Sequence, residues 1–254
     1  MTLDLKSGFH QVPVKPSDQF ILAFVMEDGS WTFTRAPFGI KTVPGYFQNK
    51  LNNILQDNGL KYCLLYIDDI ILGADTIEGL ADKLDKVLNV LETHNIKLKG
   101  RKCSAGVETV TYLGHQISKN KIAIDQDRVK AIADVPTPQS VKELKSFLGA
   151  TGWLRKFLKD YGEIASVLHK LTHKNAKFRW TEEHEKAFND IKKAIMSEPV
   201  LAPYDVNKHT VVRCDASRLG VGGVLLQGDD DDSLRPIAYV SKSFKCSSTT
   251  LGHV

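Results

Sequence analysis

Two adjacent carboxylates, Asp68 and Asp69, lie inside an apolar run, with Leu64-Leu65-Tyr66-Ile67 before them and Ile70-Ile71-Leu72 after. An ionised side chain in such surroundings costs several kcal/mol unless a cation or hydrogen-bond donors accompany it. The chemistry this points to is the holding of a divalent metal ion. The plainer reading is a polar hairpin tip with both acids in water. Asp4, in the short stretch Leu3-Asp4-Leu5, lies 64 positions before Asp68, far enough for the chain to bring two strands side by side. A third carboxylate beside the pair would complete an oxygen cage suited to Mg²⁺. A fourth strand-type acid, Asp215, stands in Val211-Val212-Arg213-Cys214-Asp215-Ala216-Ser217.

Positioning these acids sets requirements on the elements around them. On a straight strand Asp68 and Asp69 would point to opposite faces, so the two apolar arms are expected to form a tight hairpin with the acids at or next to its turn. Residues 20–36 alternate around Phe20, Leu22 and Phe24, then Trp31, Phe33 and Arg35, and Asp28-Gly29 between them predicts a second hairpin. The turn-rich loop Ala36–Pro44 leads to a helix at about Gly45–Asp57, with Phe47, Leu51, Ile54 and Leu55 on one side. Asp75-Thr76-Ile77-Glu78 has the form of a capping box with Asp75 at the cap, and the helix after it aligns Leu80, Leu84, Val87, Leu88 and Leu91. Thr109–Ile117 reads as a strand broken at Leu113-Gly114. From about residue 125 to 196 the period is helical. Pro136 and Pro138 separate a first helix from one opening at a second box, Ser140-Val141-Lys142-Glu143. Its apolar face is Val141, Leu144, Phe147 and Leu148, leaving Lys142, Lys145, Arg155, Lys156 and Lys159 largely outside. A separate β-type module begins near Thr210.

The 254 residues, 42% hydrophobic and 25% charged, suit one large or two small globular domains. No stretch of 18 apolar residues occurs, and Asp4 and Lys6 do not fit a signal peptide. The expectation is a soluble, intracellular protein that is not secreted and does not bind membranes. Cys63, Cys103, Cys214 and Cys246 are scattered, without zinc-ligand spacing. The net charge of +4 divides unevenly: residues 1–96 carry 8 Lys and Arg against 12 Asp and Glu, residues 97–180 carry 17 against 7, and residues 181–254 carry 9 against 11. A basic middle beside a carboxylate-bearing first part suggests a polyanion gripped at one place and processed with metal at another. A solvated basic helical face is the other reading.

Six motifs in one order carry a family likeness: Leu3-Asp4-Leu5-Lys6-Ser7-Gly8-Phe9-His10-Gln11, Pro37-Phe38-Gly39 with Pro44 and Phe47-Gln48, Tyr66-Ile67-Asp68-Asp69, Tyr112-Leu113-Gly114-His115, Pro136-Thr137-Pro138 with Lys145-Ser146-Phe147-Leu148-Gly149, and Cys214-Asp215-Ala216-Ser217. The series resembles the reverse transcriptase region of the Pol polyprotein of gypsy-type LTR retrotransposons and their retroviral relatives. That resemblance implies an α+β right-hand polymerase: a palm of antiparallel sheet and helices with partial fingers over 1–118, a helical thumb over 119–180, a connecting segment over 181–209, and a truncated ribonuclease-H-like β module over 210–254. It implies that Asp4, Asp68 and Asp69 are the catalytic and metal-holding carboxylates for two Mg²⁺ ions, with Mn²⁺ as a substitute. Phe9 matches the ring that excludes a ribose 2′-hydroxyl, the other reading being a core Phe. Phe38, Gly39 and Lys41 fall where the family contacts the incoming nucleotide. Lys102 lies near a family lysine that protonates pyrophosphate, the other reading being a plain surface lysine. Tyr112, Leu113, Gly114 and His115 match the turn that grips the primer end. Asp215 matches the first ribonuclease H carboxylate.

The implied partners are an RNA or DNA template with its primer, dNTPs, a second copy of the chain, and polyprotein neighbours such as protease and integrase, in a cytoplasmic virus-like particle or the nucleus. The family has a further fingers stretch before the Leu-Asp-Leu strand, whereas Met1 stands three residues before Asp4, so the fingers are expected to be partial. After Ser247-Ser248-Thr249-Thr250 the family carries a Glu where Leu251 stands, so no ribonuclease H activity is expected. Three functions stay open on the residues: an RNA-directed DNA polymerase, a weak or inactive remnant that binds nucleic acid through its basic thumb, and a metal-dependent nuclease, in which Phe9 and the Tyr112–His115 turn have no role.

Overall fold

The computed structural model describes residues 1–197, 199–217 and 220–244. They form two compact units, Met1–Val110 and Thr111–Val254.

The first unit contains β1 (Thr2–Asp4), the hairpin β2 (Phe24–Met26) and β3 (Gly29–Trp31), helix α1 (Val43–Asp57), β4 (Leu64–Tyr66), β5 (Asp69–Ile71) and helix α2 (Ile77–Thr93). Strands β1, β5 and β4, in that order, make an antiparallel sheet. Its core joins Leu3 and Leu5 to Ile70 and Leu72, to Phe47, Leu51 and Leu55 of α1, and to Val87 and Leu91 of α2. The i, i+4, i+8 spacing on α1 puts those three residues on one stripe. Pro44 stands in the first turn, where an amide hydrogen is not needed.

Four expectations are corrected here. Pro16–Leu22 is a 3₁₀ helix, not a strand: Pro16 fixes the backbone at its start, and Phe20 and Ile21 point to solvent. Only Phe24–Met26 and Gly29–Trp31 form the hairpin, with Phe33 and Arg35 beyond it. The cap of α2 is Thr76, not Asp75. The Thr76 hydroxyl accepts from the Gly79 amide at 3.0 Å, and Leu88, at 38% exposure, lies off the buried stripe.

The second unit runs through β6 (Val110–Tyr112), β7 (His115–Ser118), β8 (Lys121–Ile124), the helices α3 (Gln126–Ala133), α4 (Val141–Trp153), α5 (Tyr161–Lys170) and α6 (Glu182–Met196), then β9 (Val200–Leu201), β10 (His209–Ala216), β11 (Gly220–Gly228) and β12 (Arg235–Ser243). Strands β6 to β9 form one sheet in chain order. One core gathers Ile124, Leu144, Phe147, Leu154, Phe157, Leu168, Phe188, Ile191, Ile195 and Leu201. Helix α6, within the stretch expected to connect, packs Phe188 against Phe147 at 4.5 Å between ring centres, the rings tilted by 47°. Strands β10, β11 and β12 make an antiparallel sheet. It is tied to α5, where Gly162 N donates to Ser241 Oγ at 2.7 Å and Ser243 Oγ donates to Gly162 O at 2.9 Å.

Helix α4 starts as its sequence requires, with Ser140 Oγ accepting from Glu143 N at 3.2 Å. The return bond goes one residue further back, from Gln139 N to the Glu143 carboxylate at 2.8 Å. Replacing Ser140 with Ala should lower stability by about 1 kcal/mol, read as a lower midpoint in chemical denaturation. An unchanged midpoint would show that this cap does not contribute to the fold.

Candidate active site

The β4–β5 hairpin reverses through Ile67 and Asp68, with Tyr66 opposite Asp69. Ile67 has φ 53°, a left-handed conformation that is costly for a β-branched residue. Gln48 of α1 holds it there: the side-chain amide donates to Leu65 O at 3.1 Å, and its oxygen accepts from Ile67 N. From the other side Leu5 N donates to Asp68 O at 2.9 Å, and Asp4 stands opposite Asp69 in the β1–β5 register. The acids are thus on or beside the turn, as their spacing predicts, and Asp4 is brought to them.

Asp68 Oδ1 is buried and has no hydrogen-bond partner. The neighbouring residue is Gly8, where an added Cβ would overlap Asp68 Oδ1, so only glycine leaves room for this carboxylate. Burial raises the Asp68 pKa first, and the charges of Asp4 and Asp69 raise it further, while Lys102 opposes them. Asp69 is raised by burial and then by Asp4, again against Lys102. Lys102, mostly exposed, places Nζ 3.4 Å from Asp4 Oδ2. As placed, the acids are not a closed ligand set: among the described residues no group of three or more His, Cys, Asp or Glu is positioned to hold a metal ion. Their chemistry nonetheless fits a hard divalent cation, which prefers carboxylate oxygens and would relieve both the orphaned atom and the mutual repulsion.

Beside this site Phe9, half-buried, meets Phe47 edge-on at 5.7 Å and Phe38 at 6.0 Å. Phe38 is largely exposed and packs on His10 at 4.8 Å. Gly39, at φ 92°, and Lys41 lie in the exposed loop before α1. The structure therefore groups Phe9 with Phe38 and leaves Lys41 reaching into solvent. Gly8 and Gln48 belong to motifs apparent in the sequence, but nothing in composition or spacing gave either a role.

In the second unit Leu113 and Gly114, at φ 49° and 72°, form the turn between β6 and β7. Tyr112 is buried and Leu113 exposed. His115 stacks on Trp153 with ring centres 4.5 Å apart and planes 12° from parallel. The Arg128 guanidinium lies 4.4 Å from the centre of the same Trp ring, and a Cβ at Gly114 would overlap Arg128. Lys156 Nζ lies 3.0 Å from His115 Nε2. An ammonium only donates, so Nε2 accepts and the ring proton is on Nδ1. Burial, then Lys156, then Arg128 push the His115 pKa down to about 4. Arg128, Trp153 and Lys156 were not readable as site residues, because they are 13 to 41 positions from the turn they support. Asp215 is exposed, its Oδ1 accepting from Ala216 N at 2.8 Å, and it lines a cleft with Asp160, Glu163 and Ser241. Ser247–Thr250 and Leu251 lie outside the described residues. Among the described residues no helix is long and apolar enough to cross a membrane.

A carboxylate-tipped hairpin beside an acidic strand, followed by a basic helical region and a further antiparallel sheet, is the layout of the reverse transcriptase class. Residues 1–117 match the family described as reverse transcriptase (RNA-dependent DNA polymerase), and residues 180–251 match the RNase H-like domain found in reverse transcriptase. The chain belongs to the reverse transcriptase family and is similar to the Pol polyproteins of transposons. It is 38% identical to the retrovirus-related Pol polyprotein from transposon opus of Drosophila melanogaster, over 95% of this chain and 25% of that one. It is 32% identical to the transposon Tf2-3 polyprotein of Schizosaccharomyces pombe, over 94% of this chain and 18% of that one. The chain thus spans a quarter or less of these relatives. A solved structure of the foamy viral protease-reverse transcriptase dRH in complex with double-stranded DNA matches 98% of this chain and 44% of its own, with a TM-score of 0.88 and 26% identity. A second, of the foamy viral protease-reverse transcriptase in complex with RNA/DNA hybrid, matches 98% of this chain and 34% of its own, with a TM-score of 0.85 and 27% identity.

Two measurements follow from the electrostatics. Because the Asp68 pKa is higher folded than unfolded, its contribution favours the fold at low pH and is lost as pH rises through the folded value. At neutral pH it therefore destabilises the metal-free chain. Asp68→Asn should stabilise that chain at pH 7, by an amount reduced by solvent screening; a lower melting temperature for the variant would contradict this. His115 behaves oppositely. Its pKa, about 4 when folded against 6.5 for the free side chain, makes the unfolded state take up the proton first, so stability is full above the free value and falls as pH drops toward 4. His115→Phe should keep the ring stack and flatten the stability profile across that window. A profile as steep as that of the unsubstituted chain would refute the assignment.

Proposed function

We propose that the chain is the core of an RNA-directed DNA polymerase, transferring dNMP from dNTPs to the 3′-hydroxyl of a primer on an RNA or DNA template and releasing pyrophosphate. The observation that carries this reading is the buried, unpartnered Asp68 Oδ1 held beside two further carboxylates. Asp4, Asp68 and Asp69 would hold two Mg²⁺ ions, or Mn²⁺ in their place; such a pair, when bound, neutralises charge on the attacking and leaving oxygens.

The chain's own residues do the positioning. Asp4 and Asp68 present their oxygens from neighbouring segments joined by the Leu5–Asp68 backbone bond. Lys102 balances Asp4 in the metal-free state and, once displaced, has a proton to give to pyrophosphate. Phe9, braced by Phe47, offers a ring beneath the sugar that leaves no room for a 2′-hydroxyl. Phe38, Gly39 and Lys41 meet the nucleotide from the exposed loop. Tyr112, Leu113, Gly114 and His115 seat the primer end. In this reading residues 1–118 are palm with partial fingers, 119–180 thumb, 181–209 connection and 210–254 the RNase-H-like module. The basic middle of the chain grips backbone phosphates, contacts that carry no sequence information. With Leu251 in place of the second carboxylate, Asp215 alone does not make a ribonuclease.

Primer extension on a homopolymer RNA template with Mg²⁺ or Mn²⁺ tests the reading. Incorporation should fall by more than about 100-fold in Asp68→Asn, and Mg²⁺ should raise the melting temperature of the unsubstituted chain but not of the variant. Duplex binding without incorporation, weakening steeply with salt as counterions are released, would identify an inactive nucleic-acid-binding form and overturn the proposal.

A further inference from the structure

The loop after β1 ends in a 3₁₀ turn, Gly8–Gln11, that carries two parts of the candidate site: Gly8, packed on the Asp68 carboxylate, and Phe9, whose ring meets Phe38 and Phe47. The loop's own geometry does little to hold it. Ser7 has φ 51° and ψ 53°, the left-handed region that disfavours a residue with a Cβ, and its side chain does not cap the turn. The internal bonds, His10 N to Ser7 O at 2.9 Å and Val12 N to Phe9 O at 3.0 Å, are of the 3₁₀ kind, with poorer geometry than α-helical ones.

The Gln11 side chain folds back on this loop. Its Nε2 donates to Lys6 O at 2.7 Å and to Lys97 O at 3.0 Å, and its Oε1 accepts from Lys97 N at 2.7 Å. The amide fits only this way round, because the reversed one would set its oxygen against two carbonyls and its amino group against an N–H. Lys97 O also accepts from Lys6 N at 2.8 Å. The start of the loop, its end and a segment 86 positions away therefore meet at one side chain. That segment continues to Lys99, whose amide donates to Asp4 O at 2.8 Å, and to Lys102 beside Asp4. On the other flank Gln11 O accepts from Arg35 Nη1 at 3.0 Å and Val12 O from Ala36 N at 2.9 Å, which anchors the stretch leading to Phe38.

Resting on the polymerase reading above, we propose that Gln11 is a positioning residue for nucleotide selection: its amide clasps residues 6–11 so that the Phe9 ring stays where it meets the sugar. Gln11 need not touch the substrate to do this. The side chain the place requires has donors and an acceptor on one planar end at this reach. An ionised Glu has no donor, Asn is shorter, and Met, of similar length, makes none of these bonds. A displacement of about 1 Å in a positioning group is enough to cost a large factor. Loss of the clasp should therefore appear as weaker discrimination between dNTP and rNTP, not as a uniform loss of activity.

Single-nucleotide incorporation by the full chain, measured with a dNTP and with the matching rNTP, tests this. The ratio of the two kcat/KM values does not depend on how much of the protein is active, so it separates positioning from stability. Gln11→Met should lower the dNTP-to-rNTP ratio roughly tenfold. In a Phe9→Ala background the same substitution should change the ratio by less than about twofold, because the ring it positions is gone. Hydrogen exchange supplies a readout that needs no activity: in Gln11→Met the His10, Val12 and Lys97 amides should exchange faster, while those of Leu51 and Leu55 in α1 do not. Gln11→Glu keeps the bond from Lys97 N and loses both donated bonds; it gives the same tests of the ratio and of the His10 and Val12 amides where Gln11→Met does not fold. An unchanged ratio, an effect that persists without the Phe9 ring, or unchanged exchange at His10 and Val12 would each overturn the proposal. If the unsubstituted chain incorporates no nucleotide, the polymerase reading fails and the selection role with it, while exchange still shows whether Gln11 holds the loop.

Discussion

Like charge confined at the end of a small sheet is the constraint around which the first unit is built. Two unit charges 4 Å apart repel by about 4 kcal/mol at an effective dielectric constant of 20, a large part of the stability of an ordinary domain. Holding Asp4, Asp68 and Asp69 together therefore requires an opposing term, and the apolar residues beneath them supply it. Leu3, Leu5, Ile70 and Leu72 alternate with or flank the acids along the same strands and are almost wholly buried. The side chains that fix the sheet in the core are thus the nearest neighbours of the ones that strain it. Lys102 offsets part of the charge from outside the core.

The second unit treats charge in the opposite way. Arg128 lies over Trp153, and Lys156 faces a neutral imidazole and the Phe157 ring 5.3 Å away. Ring faces and a neutral nitrogen position these cations without cancelling them, so their charge remains available to a polyanion. This is the structural counterpart of the basic middle third of the sequence. Burial keeps His115 neutral, and the two cations beside it add to that by repelling a third.

Much of this was readable in the residues, and the failures have physical reasons. The acidic hairpin was legible because two carboxylates inside an apolar run have few tolerable placements, and α1 and α4 were legible from their stripes. The strand expected at Phe20–Leu22 failed because alternation over three residues cannot distinguish a strand from a 3₁₀ turn begun by Pro16. Strands β8 and β9 are four and two residues long and carry almost no periodic signal; their pairing across some 77 positions is a tertiary fact. The cap of α6 escaped notice because its reciprocal partner is His184, not Glu or Gln. Gly8 and Gln48 act through where they touch the hairpin, which no spacing rule encodes.

Ile67 bears on what fixes the hairpin tip. A β-branched residue in the left-handed region is a poor spontaneous turn former, and two bonds from Gln48 of α1 compensate for it. The hairpin tip is therefore not set by its own turn preference. It depends on the seating of α1, and the placement of the carboxylates inherits whatever precision that seating has.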